Sequence, residues 1–524
     1  MTADLRGDRP WWESGVVYQV YPRSFADGNG DGIGDLPGLI ARLEYLAWLG
    51  IDAVWLSPIF RSPMRDFGYD VSDYRDVDRV FGSLADLDRL VAAAHARGLR
   101  VMLDYVPNHS SSDHPWFRAS RSSRADPHRG WYVWRDPAAD GGPPNDMLAA
   151  FGGPAWTFDG ATGQYWYHSF LPEQPELDWR SPAVRSAMLD VIRFWFDRGI
   201  DGLRIDVLWM LAKDDWPWRD GAVGPGPLSD GVPSRAALDH GDGPEIEGRL
   251  RELRAVADAY ADRVLVGEVY MAPERLVRYH GEAGRGVHLP FNFALITLPW
   301  SAAAIRDAVE RYEAALPPGA WPTWVLGNHD QSRVATRVGA AQARVAAMLL
   351  LTLRGTPTLY YGDELGLEDA PVPPDRIVDV AGRDPERTPM PWEDGPNAGF
   401  SIAEPWLPMH PDAVGLSVAA QRNDPTSPLT LQRRLLDLRR RTAALSVGTW
   451  TGIDAPDDVL AYDRFAPDGT RVRVELNLGH APVMVPLDGR WTIGLSTALD
   501  RGGEAVAGVL ALRADEGVIL VPVD

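Results

Sequence analysis

The feature that most constrains this chain is an alternation. Short apolar runs of strand length are followed by longer amphipathic stretches, and several runs end near an acidic residue. Residues 16–21 read as a strand, residues 36–49 carry apolar side chains at helical spacing and stop at Gly50, and residues 52–56 read as a second strand. A helix over 84–97, stopped by Gly98, precedes a strand at 99–106. Further strand-like runs lie at 202–207, 264–269, 287–293, 323–326 and 358–361, about eight in all. Strands separated by crossover helices predict an α/β fold with parallel strands, and eight of them predict a (β/α)8 TIM barrel.

Two regions break the rhythm. Residues 107–176 are rich in Pro, Gly, Asp and aromatics without a helical period, too long for an ordinary loop, and read as a small domain inserted after the third strand. Residues 446–524 carry short alternating runs between turn signals and read as a C-terminal all-β domain of β-sandwich type. The barrel then comprises residues 1–106 and 177–445. The Gly-, Pro- and Asp-rich stretch from 214 to 245 interrupts its second part and is positioned to shape the acceptor side of a site.

Composition narrows the partners. A formal charge of −21 disfavours nucleic acid and anionic membranes, which need clustered Lys and Arg, but suits a neutral small molecule. The longest apolar run is too short to span a bilayer, and the first fifteen residues lack a basic start followed by an apolar core. A cytoplasmic location is the default expectation, and oligomeric state is left open. With no Cys, thiol catalysis and Cys-ligated zinc are excluded.

The acidic residues are informative by position. Asp104, Asp206, Glu268 and Asp330 each fall at or just after the end of a predicted strand. In a barrel those ends converge on one face, where the chemistry sits. Glycoside cleavage needs one ionised carboxylate to attack the anomeric carbon and one protonated carboxyl for the leaving oxygen. Arg204, two residues before Asp206 on the same strand face, is expected to keep Asp206 ionised. Glu268 has apolar sequence neighbours and no adjacent cation, which favours its protonated form.

The segments DYVPNH (104–109), GLRIDV (202–207), GEVY (267–270) and GNHDQSR (327–333) resemble, in order, four sequence signatures of the α-amylase superfamily, and QPELDW (174–179) resembles a fifth found in its oligo-1,6-glucosidase-like group. The resemblance implies a retaining α-glucosidase in which Asp206 is the nucleophile, Glu268 the general acid/base and Asp330 a carboxylate holding sugar hydroxyls. It also implies roughly 5–5.5 Å between nucleophile and acid. His109, Arg204 and His329 would contact the terminal sugar. DFGYDVSDY (66–74) and ERTPMPW (386–392) resemble segments that supply Asp66, a stacking Tyr69 and Arg387 to the same hexose. Phe151 and Phe170 fall where related enzymes carry a hydrophobic clamp. Val207 matches relatives that favour α-1,6 bonds. These loops imply a pocket closed at one end and a short α-glucoside as substrate. The same carboxylates would serve a glucosyltransferase or isomerase of trehalose-synthase-like or sucrose-active type, and a noncatalytic scaffold on this fold is the third alternative.

DGNGDGIGD (27–35) places oxygen donors at Asp27, Asn29, Asp31, the Ile33 carbonyl and Asp35, a spacing close to an EF-hand loop. The twelfth position is Gly38, so the usual bidentate Glu is missing. Similar glucosidases carry this loop after the first strand, which implies a structural Ca2+, or Mg2+, and no organic cofactor.

Overall fold

The computed structural model describes residues 9–213 and 245–523. The acceptor-side stretch at 214–244 therefore lies outside the described residues. Eight strands, β1 (Val17–Val20), β2 (Ala53–Leu56), β3 (Arg100–Tyr105), β4 (Gly202–Ile205), β5 (Val264–Glu268), β6 (Leu289–Phe291), β7 (Thr323–Val325) and β8 (Thr356–Tyr360), match the runs expected from sequence to within a few residues. Their order is β6-β5-β4-β3-β2-β1-β8-β7, and every pairing is parallel. The order is cyclic, and its two ends, β6 and β7, lie against each other, so the sheet is a TIM barrel.

Alternation along the strands builds two cores. Val264 and Val266 of β5 point inward with Val17, Ala53, Trp55, Met102 and Leu289. Leu265 between them faces the helical layer with Val54, Leu103, Leu203 and Ile205. Helix α1 (Leu36–Leu49) starts where the Asp35 side chain accepts the Gly38 N–H and ends on Gly50 at φ 101°, a left-handed cap that only glycine adopts at little cost. Helix α2 (Leu84–His95) opens on a reciprocal Ser83–Asp86 capping box.

The 107–176 region contains a helix, α3 (Pro115–Ser122), where no helical period is expected. Pro115 in its first turn and the His114 ring accepting the Trp116 N–H start it locally, in a segment too short to show a repeating pattern. Strands Trp134–Arg135, Trp156–Asp159 and Gln164–Tyr167 form a small antiparallel sheet beside it. The bridge between His109 and Glu176 ties the two ends of this region together, and α4 (Pro182–Asp197) leads back to β4.

The C-terminal region is all-β, but not two separate sheets. Strands β9 (Thr449–Ile453), β10 (Val459–Phe465), β11 (Arg471–Asn477), β12 (Val483–Ser496), β13 (Ala505–Leu512) and β14 (Gly517–Pro522) join in one antiparallel sheet. The long β12, with register shifts in both of its pairings, bends the sheet, so that residues of β10, β12, β13 and β14 share one apolar cluster. Sequence alternation gives the inward face of each strand but not the hydrogen-bond partner, so one folded sheet and a sandwich read alike. Among the described residues no helix is long and apolar enough to cross a membrane.

Candidate active site

The C-terminal ends of β3, β4 and β5 bring three carboxylates onto one guanidinium. Arg204 of β4 lies 2.7 Å from Asp104 Oδ1, 2.8 Å from Asp206 Oδ1 and 2.7 Å from Glu268 Oε2, and all four side chains are buried. Register explains the convergence: Arg204 is level with Asp104 on one side and with Val266 on the other, so Glu268, two residues beyond Val266, reaches over the same face. Arg204 also stands over the rings of Trp55 and Tyr69.

This corrects the expectation that Glu268 lacks an adjacent cation. Its cation comes from the neighbouring strand, and sequence neighbours carry no information about register partners. The expectation that Arg204 keeps Asp206 ionised is also incomplete. Burial pushes the Asp206 carboxyl well above the usual carboxylate range, the Glu268 carboxylate pushes the same way, and the pull of Arg204 does not overcome them. Burial likewise raises Asp104 to about 6, against the pull of Arg204. One cation among three buried carboxylates leaves protons in the group near neutrality.

A second cluster surrounds Asp330, which follows β7. Asp330 Oδ1 accepts from Arg383 Nη1 at 2.9 Å and from Arg387 Nη2 at 3.0 Å. Arg383 also reaches Asp66 Oδ1 at 2.9 Å and Asp379 Oδ1 at 2.7 Å. Burial works to raise Asp330, but His329, Arg383 and Arg387 outweigh it and hold the carboxylate well below its ordinary range. Burial pushes the His329 imidazole down to about 3, so near pH 7 it is neutral and the two arginines carry the effect. Asp66 rises despite Arg383, because it is buried.

Tyr69 joins the two clusters. Its hydroxyl donates to Asp104 Oδ2 at 3.1 Å and lies 2.7 Å from His329 Nε2, and its ring stacks on His329 at 5.5 Å. His109 is buried between Asn108 (3.1 Å) and Gln174 (3.2 Å), and its ring lies 5.2 Å from Phe170. Burial pushes His109 down to about 4, so this ring too is neutral near pH 7. Phe151 and Phe170 meet with ring centres 5.7 Å apart, and Arg383 stands over Phe151. Every residue that the sequence places around the terminal sugar is therefore in one connected assembly.

Arg383, Asp379 and Gln174 belong to that assembly and are missing from the sequence-derived set. Arg383 bridges Asp66, Asp330 and Asp379, and its signal in sequence is only its position four residues before Arg387. Gln174 donates to Asp66 Oδ2 at 3.0 Å, and it stands first in the QPELDW segment already singled out.

The 27–35 loop is remote from these clusters in character: oxygen-rich and partly exposed. Asp27 accepts the Asn29, Gly30 and Gly32 N–H groups, Asn29 accepts that of Asp31, and Asp31 that of Ile33. Asp35 Oδ1 accepts from Gly28 and Gly38, whereas its Oδ2 is buried with no hydrogen-bond partner. An all-oxygen donor set with an orphaned carboxylate oxygen fits a hard cation. Among the described residues, however, no three acidic or His side chains already converge as a metal cage, because these oxygens are turned to the loop's own backbone.

Comparison with known proteins agrees with this geometry. Residues 19–448 match the family model "Alpha amylase, catalytic domain", and residues 451–519 match a domain of unknown function, DUF3459. A probable α-glucosidase of Rhizobium meliloti is 41% identical over 486 residues, covering 88% of each chain. An oligo-1,6-glucosidase of Parageobacillus thermoglucosidasius is 35% identical, covering 87% of this chain and 88% of the relative. Among solved structures, the α-glucosyl transfer enzyme XgtA aligns with a TM-score of 0.91 at 39% identity, over 98% of this chain and 100% of the other. A trehalulose synthase, MutB, aligns at 0.90 and 34% identity, over 98% and 100%. With its catalytic-domain match spanning the barrel and the relatives matched nearly end to end, this chain belongs to the α-amylase family.

Proposed function

We propose that this protein is a retaining α-glucosidase that releases terminal glucose from short α-glucosides through a covalent glycosyl-enzyme. The observation that carries the reading is the pair Asp206 and Glu268, held on the two terminal nitrogens of one buried guanidinium. An inverting pair needs roughly 6.5–9.5 Å to admit a water and a retaining pair roughly 5–5.5 Å, and two carboxylates sharing one guanidinium suit the shorter spacing. Asp206 attacks the anomeric carbon as the anion while Glu268 gives its proton to the leaving oxygen, after which Glu268 takes a proton from the incoming water. Entry of substrate brings the glycosidic oxygen to Glu268, and the proton shared by the pair then belongs on the side of the leaving group. Asp330, kept ionised by Arg383 and Arg387, accepts sugar hydroxyls, as does Asp66. Tyr69 and the Phe151–Phe170 pair offer ring faces to the pyranose.

The test is NMR of the first anomer released from maltose and isomaltose. Initial α-glucose supports retention, and initial β-glucose overturns it. Asp206→Ala is expected to lower kcat by about 10^4-fold or more, since the covalent route is then closed.

A second reading, transfer of the glucosyl unit to a sugar or other hydroxyl in place of water, is favoured by the likeness to XgtA and MutB. Product analysis at high substrate separates the two. We propose further that Asp27, Asn29, Asp31, Asp35 and the Ile33 carbonyl bind a structural Ca2+ or Mg2+, supported by the orphaned Asp35 Oδ2 beside the start of α1. Chelation is expected to remove one equivalent of metal and lower Tm, and Asp27→Ala to abolish the chelator's effect. Unchanged metal content and Tm would discard the site.

A further inference from the structure

The residue after the proposed nucleophile is held in a conformation it does not favour. Val207 has φ 35° and ψ 46°, in the left-handed region. A β-branched residue there is a true outlier, at an intrinsic disadvantage large enough that the surroundings must impose it. The surroundings are identifiable. The Asp206 N–H is fixed to the Tyr105 carbonyl at 2.9 Å, and the Val207 carbonyl accepts the Met210 N–H at 2.9 Å to begin the short 3-10 turn Leu208–Leu211. Leu208 is fully buried and packs over the bare Cα of Gly267, where an added Cβ would fall 2.4 Å from Leu208 Cδ2.

The strained turn delivers one group to the chemistry. The Val207 N–H donates to Glu268 Oε2 at 2.8 Å, the same oxygen that pairs with Arg204 Nη2 at 2.7 Å. Both donors fall on Oε2 and neither on Oε1. That N–H lies in the Asp206–Val207 peptide plane, which the Asp206 bond to Tyr105 anchors upstream. The left-handed Val207 turns the chain that follows back over Gly267, whereas an extended Val207 would carry Leu208 away from it and release the plane downstream.

We infer that the Val207 main-chain N–H, in a peptide plane locked between the Asp206–Tyr105 bond and a left-handed turn that Leu208 clamps onto Gly267, is a positioning group for the Glu268 carboxyl. This rests on the reading of Glu268 as the acid/base. It adds that the bond between the two strand ends selects which oxygen of Glu268 acts, and that the unfavourable backbone at Val207 is retained for that purpose. Gly267 is then required for the close approach of Leu208.

The experiment replaces the Val207 amide by an ester, inserting the α-hydroxy acid of valine so that only the N–H is lost. An N–H donated to a carboxylate favours its ionised form, so its loss raises the acid/base pKa. The alkaline limb of kcat/KM is expected to move up by about one pH unit, and kcat on maltose to fall about 10- to 100-fold. 4-Nitrophenyl α-glucoside, whose leaving group needs little protonation, should lose several-fold less in its glycosylation step. Leu208→Ala is expected to reproduce the pattern in part by releasing the clamp. Gly267→Ala should do so more strongly, and the double variant Gly267→Ala/Leu208→Ala should recover at most to the level of Leu208→Ala, because the new methyl then clears Leu208 but the clamp is still absent and Val287 Cγ2 stays within 3.2 Å. Equal losses on both substrates with an unmoved alkaline limb would overturn the inference and leave a purely structural turn. Glu268→Gln, assayed alongside, separates the two readings: if it stays active on maltose, the assignment of Glu268 fails; if it is inactive while the ester behaves as wild type, only the positioning role fails.

Discussion

The two halves of the pocket solve the same electrostatic problem with different charge ratios. At the ends of β3–β5, one guanidinium serves three carboxylates, and the result is proton retention: Asp206 lies well above the usual range and Asp104 at about 6. Around Asp330, two guanidiniums serve Asp330, Asp379 and Asp66, and both Asp330 and Asp379 are held below their ordinary values against burial. Asp330 is also more exposed than the carboxylates around Arg204, and Asp66, buried beside Arg383, still rises, so cation count and burial together decide which carboxylates keep protons. The arrangement suits the task. Proton transfer belongs between Asp206 and Glu268, and fixed acceptors for hydroxyls belong on the other side.

The comparison is broken most severely at Arg204. Arg204→Met leaves three buried carboxylates with no cation, an expected loss of about 3–5 kcal/mol. The deficit should be smaller at pH 5 than at pH 8, because protonation removes the repulsion. Thermal unfolding at the two pH values measures it, and a deficit independent of pH would refute the charge-ratio account. Arg383→Ala tests the other half. Asp66 and Asp330 lose their shared partner while Arg387 remains, so folding should survive. The expected loss is about 100-fold in kcat/KM, expressed mainly as a higher KM for the terminal glucose, whereas substitutions at Glu268 act on kcat. A loss confined to kcat would place Arg383 with the chemistry instead of with the sugar.

Legibility from sequence followed the range of the interaction. The barrel and the strand-end acids were readable because apolar periodicity and acid position are local properties of each βα unit. Arg204 and Asp206 are two residues apart, and their contact followed from strand geometry alone. The Arg204–Glu268 pair was not readable, since sixty-four positions separate them and only the β4–β5 register brings them level. Arg383 is hidden for a related reason: Asp379 lies only four residues away, but Asp66 and Asp330, the partners that place it in the pocket, come from two distant loops. The His329 and His109 rings lie in the assembly around Tyr69 and Gln174, but their neutrality is a consequence of burial, which appears only with the fold.

Asp104 offers the mildest and cleanest test of proton retention, because it touches Arg204 and Tyr69 without being one of the reacting pair. Its folded value of about 6 lies above the roughly 3.9 of an unfolded aspartate. A carboxyl raised in this way stabilises the fold below the unfolded value, and that contribution disappears as pH rises through about 6. Asp104→Asn removes the titration and keeps one acceptor oxygen. The substitution has a pH-independent cost, because Arg204 and Tyr69 then share a neutral acceptor, so the absolute Tm change decides nothing. The informative quantity is the difference between variant and wild type across pH. It should shift in favour of the variant between pH 4 and pH 7, by on the order of 2–3 kcal/mol, as wild-type Asp104 is forced to ionise in a buried site. A flat difference would mean that Arg204 satisfies all three carboxylates as anions, and the contrast between the two halves of the pocket would then lie in geometry and not in charge.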